Sequence, residues 1–426
     1  MTSERRFEQN LPELLGQLAL GPTTDYRNDI VQATAHMRQR PTWTFPGRWI
    51  PMTAVTSRIA AAPRIPWRIL VVAALLLALA VSALVIVGSQ QRMPPPFGLA
   101  ANGHVAYSAD GDIYTADPAT GAATAVVTGE ETDVQPVWSR DGTRLVFERK
   151  AFGEGRLFVA QADGRGLVAV TPEPLSGLAN YAFSPDGREI LFTSGPDWST
   201  KLWIAKVDGS DLRQLDVGMS VDSPSYRPPN GSEIVFAGEP QSGAGIGLYA
   251  VEVKSGAVRQ ILAPSAGVGR DGVVVSPNGS RVAFVASTED PTQNTYRVHV
   301  ATVDGSATDR LLPMPDGAIF QDLPAWSNDG TRLVVARGYA PHDQDMVLAV
   351  VPADGSGVGV ETEHRITSCC TNSYEWAPDD TTILVTLYGF EDQQPLRQVL
   401  LDPATGATRP APWTTTSVPA WQRRAP

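Results

Sequence analysis

The feature that most limits what this chain can become is a repeat. An aromatic or apolar residue, then a small residue and an Asp-Gly or Asn-Gly pair, stands at Trp138 (WSRDG), Phe183 (FSPDG), Val275 (VSPNG) and Trp326 (WSNDG). Looser copies stand at Tyr226 (YRPPNG) and Trp376 (WAPDD), and a last one at Trp421 (PAWQRR) stops before its turn. Successive anchors are 45, 43, 49, 51, 50 and 45 residues apart, close to the length of one four-stranded propeller blade.

Within each period a second alternating pair follows, as in LFVAQADGRGLVAV, LWIAKVDGSDLRQL, LYAVEVKSGAVRQI and VHVATVDGSATDRL, so each period holds four strands. The ten Asp-Gly and three Asn-Gly pairs suit two-residue hairpin turns, where both central residues take positive φ. The first segment, NGHVAYSADGDIYTADPATGAATAVVTG, has three strands and lacks the leading one; the terminal SVPAWQRR is that strand with nothing after it. Joining them predicts an all-β, seven-bladed propeller over 102–424, closed by N- and C-terminal strands that share one blade. Closure leaves only short, protected sheet edges.

Charge divides the chain. Residues 1–68 carry nine Arg against five acids, whereas 89–426 carry 25 basic and 40 acidic side chains, a balance of −15. So acidic a domain excludes nucleic acid as a partner, because phosphate contacts need clustered Lys and Arg. Between the halves, Ile69 to Gly88 runs for twenty residues without a charge, roughly 30 Å as a helix and enough to cross a bilayer core. The segment starts too late for a cleaved signal peptide and predicts an uncleaved signal-anchor. Arg58, Arg64 and Arg68 before it, against Arg92 after it, place the N-terminus in the cytoplasm and the propeller outside, at the cell membrane.

Before the span, Leu11, Leu14, Leu15 and Leu18, then Tyr26, Ile30, Ala33 and Met37, recur at helical spacing. The expected organisation is a cytoplasmic helical segment at 1–68, a transmembrane helix at 69–88, a Pro-rich linker at 89–101 and the propeller at 102–424. Adjacent Cys369 and Cys370 leave two readings open: a strained vicinal disulfide, since neighbouring Cα atoms lie at ~3.8 Å, or two free thiols.

The W-S-x-D-G-x-x-L-x-F anchors with their L-x-V-x-x-x-D-G second halves resemble the TolB-type propeller repeat, a relative of the WD repeat, over 102–424. The resemblance implies a binding platform, a sensor domain or an accessory domain of a peptidase. The additional N-terminal α/β domain of TolB has no counterpart here, so a Tol–Pal role is not carried over. TDYRNDIVQATAHMRQRPTWTFPGRWIPM resembles the inner stubs of actinobacterial-type single-span proteins with anti-sigma character. That second resemblance implies a sigma factor as cytoplasmic partner.

In an antiparallel blade the first and third connections emerge on one face and the others on the opposite face. The Gly turns make the first face tight; the second collects ERKAFGEGR, TSGPDWSTK, RGYAPHDQDM and YGFEDQQPLR. Binding groups ride on such loops, so the candidate ligand-binding residues are Trp198, Tyr339, His342, Asp343, Asp345, Phe390, Glu391 and Asp392. HDQD (His342 to Asp345) fits no recognised metal-ligand spacing, and GVGRDG (Gly267, Gly269, Gly272) precedes a strand instead of a helix, which rules out a dinucleotide loop. No GxSxG, HExxH or GxxxxGK[ST] motif occurs, so neither enzyme chemistry, nor a metal, nor a cofactor is expected. The once-per-blade aromatics are expected to pack between sheets. Function is expected to be binding of a protein or small ligand outside, with signalling through the inner segment. The alternatives are a membrane-anchored scaffold or assembly factor, and an extracytoplasmic propeller enzyme with its site at the ring's axis.

Overall fold

Six of the seven anchor residues end the innermost strand of an antiparallel sheet, and the seventh, Trp421, is the second residue of its own. In the computed structural model the described residues are 97–151, 153–196, 199–265, 268–270, 272–287, 296–306, 310–339, 345–362, 366–367, 373–387, 397–425 and Leu76. They form seven sheets. From axis to rim, blade 1 holds Ala420–Arg424, Ala101–Ala109, Asp112–Ala116 and Ala123–Val127, and blade 2 holds Thr132–Trp138, Arg144–Ala151, Glu154–Gln161 and Val168–Ala169. The innermost strands of blades 3 to 7 are Ala179–Phe183, Met219–Tyr226, Val274–Val275, Phe320–Trp326 and Ser373–Trp376. A short extra strand, Ile366–Thr367, pairs with Asp345–Pro352 in blade 6.

The expected closure is present. Val105 pairs with Trp421 and Ala106 with Ala420, so the last strand of the chain fills the innermost place in the first blade. Seven buried apolar clusters result, one in each gap between neighbouring blades. The gap that closes the ring is filled by Tyr107, Trp413 and Trp421 from blade 1 and its approach, and by Leu384 and Leu400 from blade 7. Second strands are buried on both faces, as at Ile190, Leu191 and Phe192, each 0% exposed. This is why they read as continuous apolar runs and not as alternating ones.

The anchors pack between sheets, and they also latch them. The indole N–H of Trp138 donates to the Ala420 carbonyl (3.2 Å), that of Trp326 to Val274 (3.0 Å) and that of Trp376 to Ala325 (3.1 Å). Each bond joins a blade to the innermost strand of the blade before it. The guanidinium groups of Arg281 and Arg332 lie over the rings of Trp326 and Trp376, both at 4.8 Å, adding a cation–π contact across two gaps.

The anchor turns differ from the two-residue form. Ser139 N donates to Arg144 O and Gly142 N to Ser139 O, both at 2.8 Å, so four residues are looped out and only Gly142 (φ 68) is left-handed. Asp141 serves as an acceptor: its Oδ1 takes hydrogen bonds from Ser139 Oγ (2.6 Å), Thr143 Oγ1 (2.7 Å) and Thr143 N (3.0 Å). Ser184 with Asp186, Ser276 with Asn278 and Ser327 with Asp329 repeat the Ser–carboxylate or Ser–amide contact. The side-chain bonds stabilise a turn that the dipeptide alone does not specify. Asp110 (φ 52) with Gly111 (φ 90) does make the two-residue form, between paired Ala109 and Asp112.

Four innermost strands carry a bulge three residues before the anchor, at left-handed Gln135, Asn180, Ser223 and Leu323. Pro follows the bulge residue in three of them, at Pro136, Pro224 and Pro324. The innermost strand is a sheet edge, so a missing N–H costs no ladder bond there.

The chain divides into two units, Met1–Ser89 and Gln90–Pro426. In the first, Leu76 is described; it is helical and exposed. The expected helices of 1–68, the rest of the expected span at 69–88 and Cys369 and Cys370 lie outside the described residues. Among the described residues no helix is long and apolar enough to cross a membrane.

Candidate functional site

The repeat shows where this chain departs from its own pattern. One residue before the anchor, six blades have Val137, Ala182, Ser225, Val274, Ala325 and Ala420, all small or apolar; blade 7 has Glu375. Two residues after the anchor, four blades have Pro185, Pro228, Pro277 and Pro378, whereas blades 2, 6 and 1 have Arg140, Asn328 and Arg423. Both positions fall where innermost strands end, on the tight-turn face. The four exceptions therefore meet at one mouth of the axial channel, lining a cavity of about 300 Å³ together with Trp138, Trp326, Trp376 and Trp421.

Within this mouth Arg423, 6% exposed, donates from Nη1 to Asn328 Oδ1 (2.7 Å) and from Nη2 to the Gly98 carbonyl (2.5 Å). Asn328 Nδ2 donates in turn to Asp380 Oδ1 and to the Ala377 carbonyl, both at 2.9 Å. Asp380 occupies the turn-glycine position of WAPDD with φ 60, a left-handed conformation costing a non-glycine residue on the order of 1 kcal/mol. Its carboxylate offsets that cost by accepting from the backbone N–H groups of Asn328 (2.7 Å) and Asp329 (2.9 Å), clasping blade 7 to blade 6.

Glu375 accepts from the Trp421 backbone N–H (3.0 Å) on the closing strand. Burial pushes its carboxyl up to about 8, against the opposing pull of that N–H and of Arg140 and Arg423, so at neutral pH it is largely protonated and able to donate. Burial likewise lowers Arg423 to about 10, with Arg140 adding repulsion, and lowers Arg140 itself. Both remain cationic. Arg140 is exposed to solvent at the mouth. Its guanidinium lies 4.8 Å from the Phe97 ring centroid. The segment entering blade 1 thus crosses the mouth, fixed also by Ala100 N to the Pro378 carbonyl (2.9 Å) and Asp379 N to Asn102 Oδ1 (3.1 Å). Arg140 and Arg423 thus bring two cations to the mouth, where the Asp380 carboxylate and Glu375 both act on Arg423.

Of the loop-face candidates, Tyr339 is described in full, and it is half-buried. Its hydroxyl lies 2.7 and 2.8 Å from the two oxygens of Glu361, which also accepts from fully buried Arg337 (2.8 Å). This network ties a second strand to the outermost strand of blade 6 and not to the axis. Asp345 is described in its backbone, paired with Thr367. Trp198, His342, Asp343, Phe390, Glu391 and Asp392 lie outside the described residues.

Blades, closure and axial mouth together define a seven-bladed β-propeller whose first strands meet around a charged channel. Residues 103–273 match the family model described as PD40, TolB beta propeller domain. The Tol-Pal system protein TolB of Francisella tularensis subsp. mediasiatica is 23% identical over 220 residues, covering 50% of this chain and 48% of that protein. The chain thus spans about half the length of the curated relatives it matches first. Among solved structures, the periplasmic gluconolactonase PpgL of Pseudomonas aeruginosa superposes with a TM-score of 0.50 at 16% identity, over 75% of this chain and 99% of that one. A prolyl endopeptidase superposes with a TM-score of 0.52 at 13% identity, over 75% of this chain and 51% of that one. At such identities the two structures share the fold alone.

Proposed function

We propose that this chain is a single-pass membrane protein whose extracytoplasmic propeller, at 102–424, binds a protein partner or ligand through the axial mouth. In this reading residues 1–68 lie in the cytoplasm and engage a protein there, a sigma factor being the candidate, and 69–88 cross the membrane ahead of a linker at 89–101. The observation that carries the binding role is the convergence of Arg140, Asn328, Glu375 and Arg423, the residues that break the repeat, on one mouth of the channel. Support for the anchoring comes from the twenty uncharged residues and their arginine flank. Likeness to a Tol-Pal system protein supports a partner that is itself a protein.

A photo-crosslinking residue placed at Arg140 in the full chain, in cells, tests the mouth against the exposed turn residue Arg188. A discrete adduct formed from position 140 and absent from position 188 is expected. Adducts of the same pattern from both positions, or none from either, would overturn the axial assignment.

A further inference from the structure

At the end of the ring opposite the tight turns, blades 2 and 3 form an open cavity of about 480 Å³. One of its walls is Glu148, 7% exposed. No described residue donates a hydrogen bond to that carboxylate, and burial pushes its pKa up, with Lys150 opposing. Lys150 follows two residues later on the same strand and is itself exposed, so it acts from the rim. A buried carboxylate without a donor is costly, and protonation or a cationic partner relieves the cost.

The surroundings are fitted to the carboxylate. Gly155 faces it so closely that a Cβ there would lie 2.1 Å from Glu148 Oε1, so any larger residue would displace the carboxylate from its present position. Gln135 and Asn180, the left-handed bulge residues of the two adjacent innermost strands (φ 52 and 51), stand exposed on the same cavity. The Tyr181 hydroxyl donates to the Gln135 carbonyl (2.7 Å) and ties the two bulges across the gap. Asn180 Nδ2 donates to Thr193 Oγ1 (3.2 Å), which leaves its amide oxygen available as an acceptor. Leu178 adds an apolar wall.

We propose that this cavity binds an organic cation bearing N–H donors, a primary ammonium or guanidinium on an aliphatic stem, with Glu148 as counter-ion and the side-chain oxygens of Gln135 and Asn180 as further acceptors. The stem packs on Leu178. A hard divalent ion fits less well, because it takes six to eight oxygens and among the described residues no three His, Cys, Asp or Glu side chains gather. The acidic balance of 89–426, −15, draws cations toward the domain.

Isothermal titration of the purified full chain with agmatine, and separately with N-acetyl-lysine methylamide, at fixed NaCl, tests this. The first probe stands for a free small amine and the second for a basic side chain of a peptide. Saturable binding of at least one probe is expected, weakened by about tenfold or more in Glu148→Gln. Lys150→Met is expected to keep or tighten it, by removing the competing charge. Glu148→Gln is also expected to melt no lower than the parent in the absence of probe, since a neutral amide carries less desolvation penalty; a carboxylate retained for stability alone would show a lower melting temperature. Gly155→Ala, which pushes the carboxylate aside, is expected to weaken binding as well. The proposal is overturned if neither probe binds saturably, or if Glu148→Gln binds within about twofold of the parent.

Discussion

Glu375 is the residue on which the axial mouth turns. It sits in an innermost strand where six other blades place a small or apolar side chain, and it is held by one backbone N–H from the closing strand. Its carboxyl titrates near 8, against an ordinary glutamate value of 4.5. Over that window the folded chain keeps a proton that the unfolded chain has already released. The unfolded state therefore binds fewer protons, and stability falls as pH rises from about 4.5 through about 8. Glu375→Gln keeps the acceptor for Trp421 N–H and removes the titration. Denaturant unfolding at pH 5 and pH 8 should show the parent losing more stability across the interval than the variant. Equal losses would mean that the carboxyl is already ionised at pH 5.

Among the elements, the closing strand carries more consequence than its five residues, Ala420–Arg424, would suggest. It supplies Trp421 to the last gap, the Ala420 carbonyl to the Trp138 latch, a backbone N–H to Glu375 and Arg423 to the mouth. Trp421→Ala should cost about 3–5 kcal/mol, the usual range for emptying a buried Trp site, measured by chemical denaturation of the full chain. A cost below about 1 kcal/mol, the range of an exposed position, would show that the ring does not depend on this closure. This strand was legible in the sequence, because the first segment lacked the very motif with which the chain ends. The turn geometry was not. Asp-Gly specifies where a hairpin reverses, but Ser139 and Asp141 decide how many residues are looped out. The mouth was hidden for a different reason: Arg140, Asn328, Glu375 and Arg423 are ordinary polar residues until the repeats are laid in register and the axis is known. Loop composition pointed to Tyr339 instead, and nothing in its local sequence shows that Glu361, 22 residues on, holds its hydroxyl.

At the scale of the whole molecule, ring closure makes the gaps equivalent in a way an open array does not allow. In an open stack the end repeats have one neighbour each and melt first; here every blade has two neighbours, and the apolar clusters number seven for seven blades. Four second strands place a fully buried Phe at the same point of the repeat: Phe147 in the gap between blades 1 and 2, Phe192 between 2 and 3, Phe236 between 3 and 4, and Phe284 between 4 and 5. Each Phe→Ala change should therefore lower stability by a similar amount, about 3–5 kcal/mol, and the propeller should still unfold in one transition when followed by tryptophan fluorescence and by far-ultraviolet circular dichroism. Trp138, Trp203, Trp326, Trp376, Trp413 and Trp421 lie in five different gaps, so fluorescence samples most of the ring. A Phe147→Ala variant whose fluorescence and circular dichroism midpoints separated, while the Phe236→Ala midpoints still coincided, would locate a weak seam beside the shared blade. The cooperative unit would then be smaller than the ring.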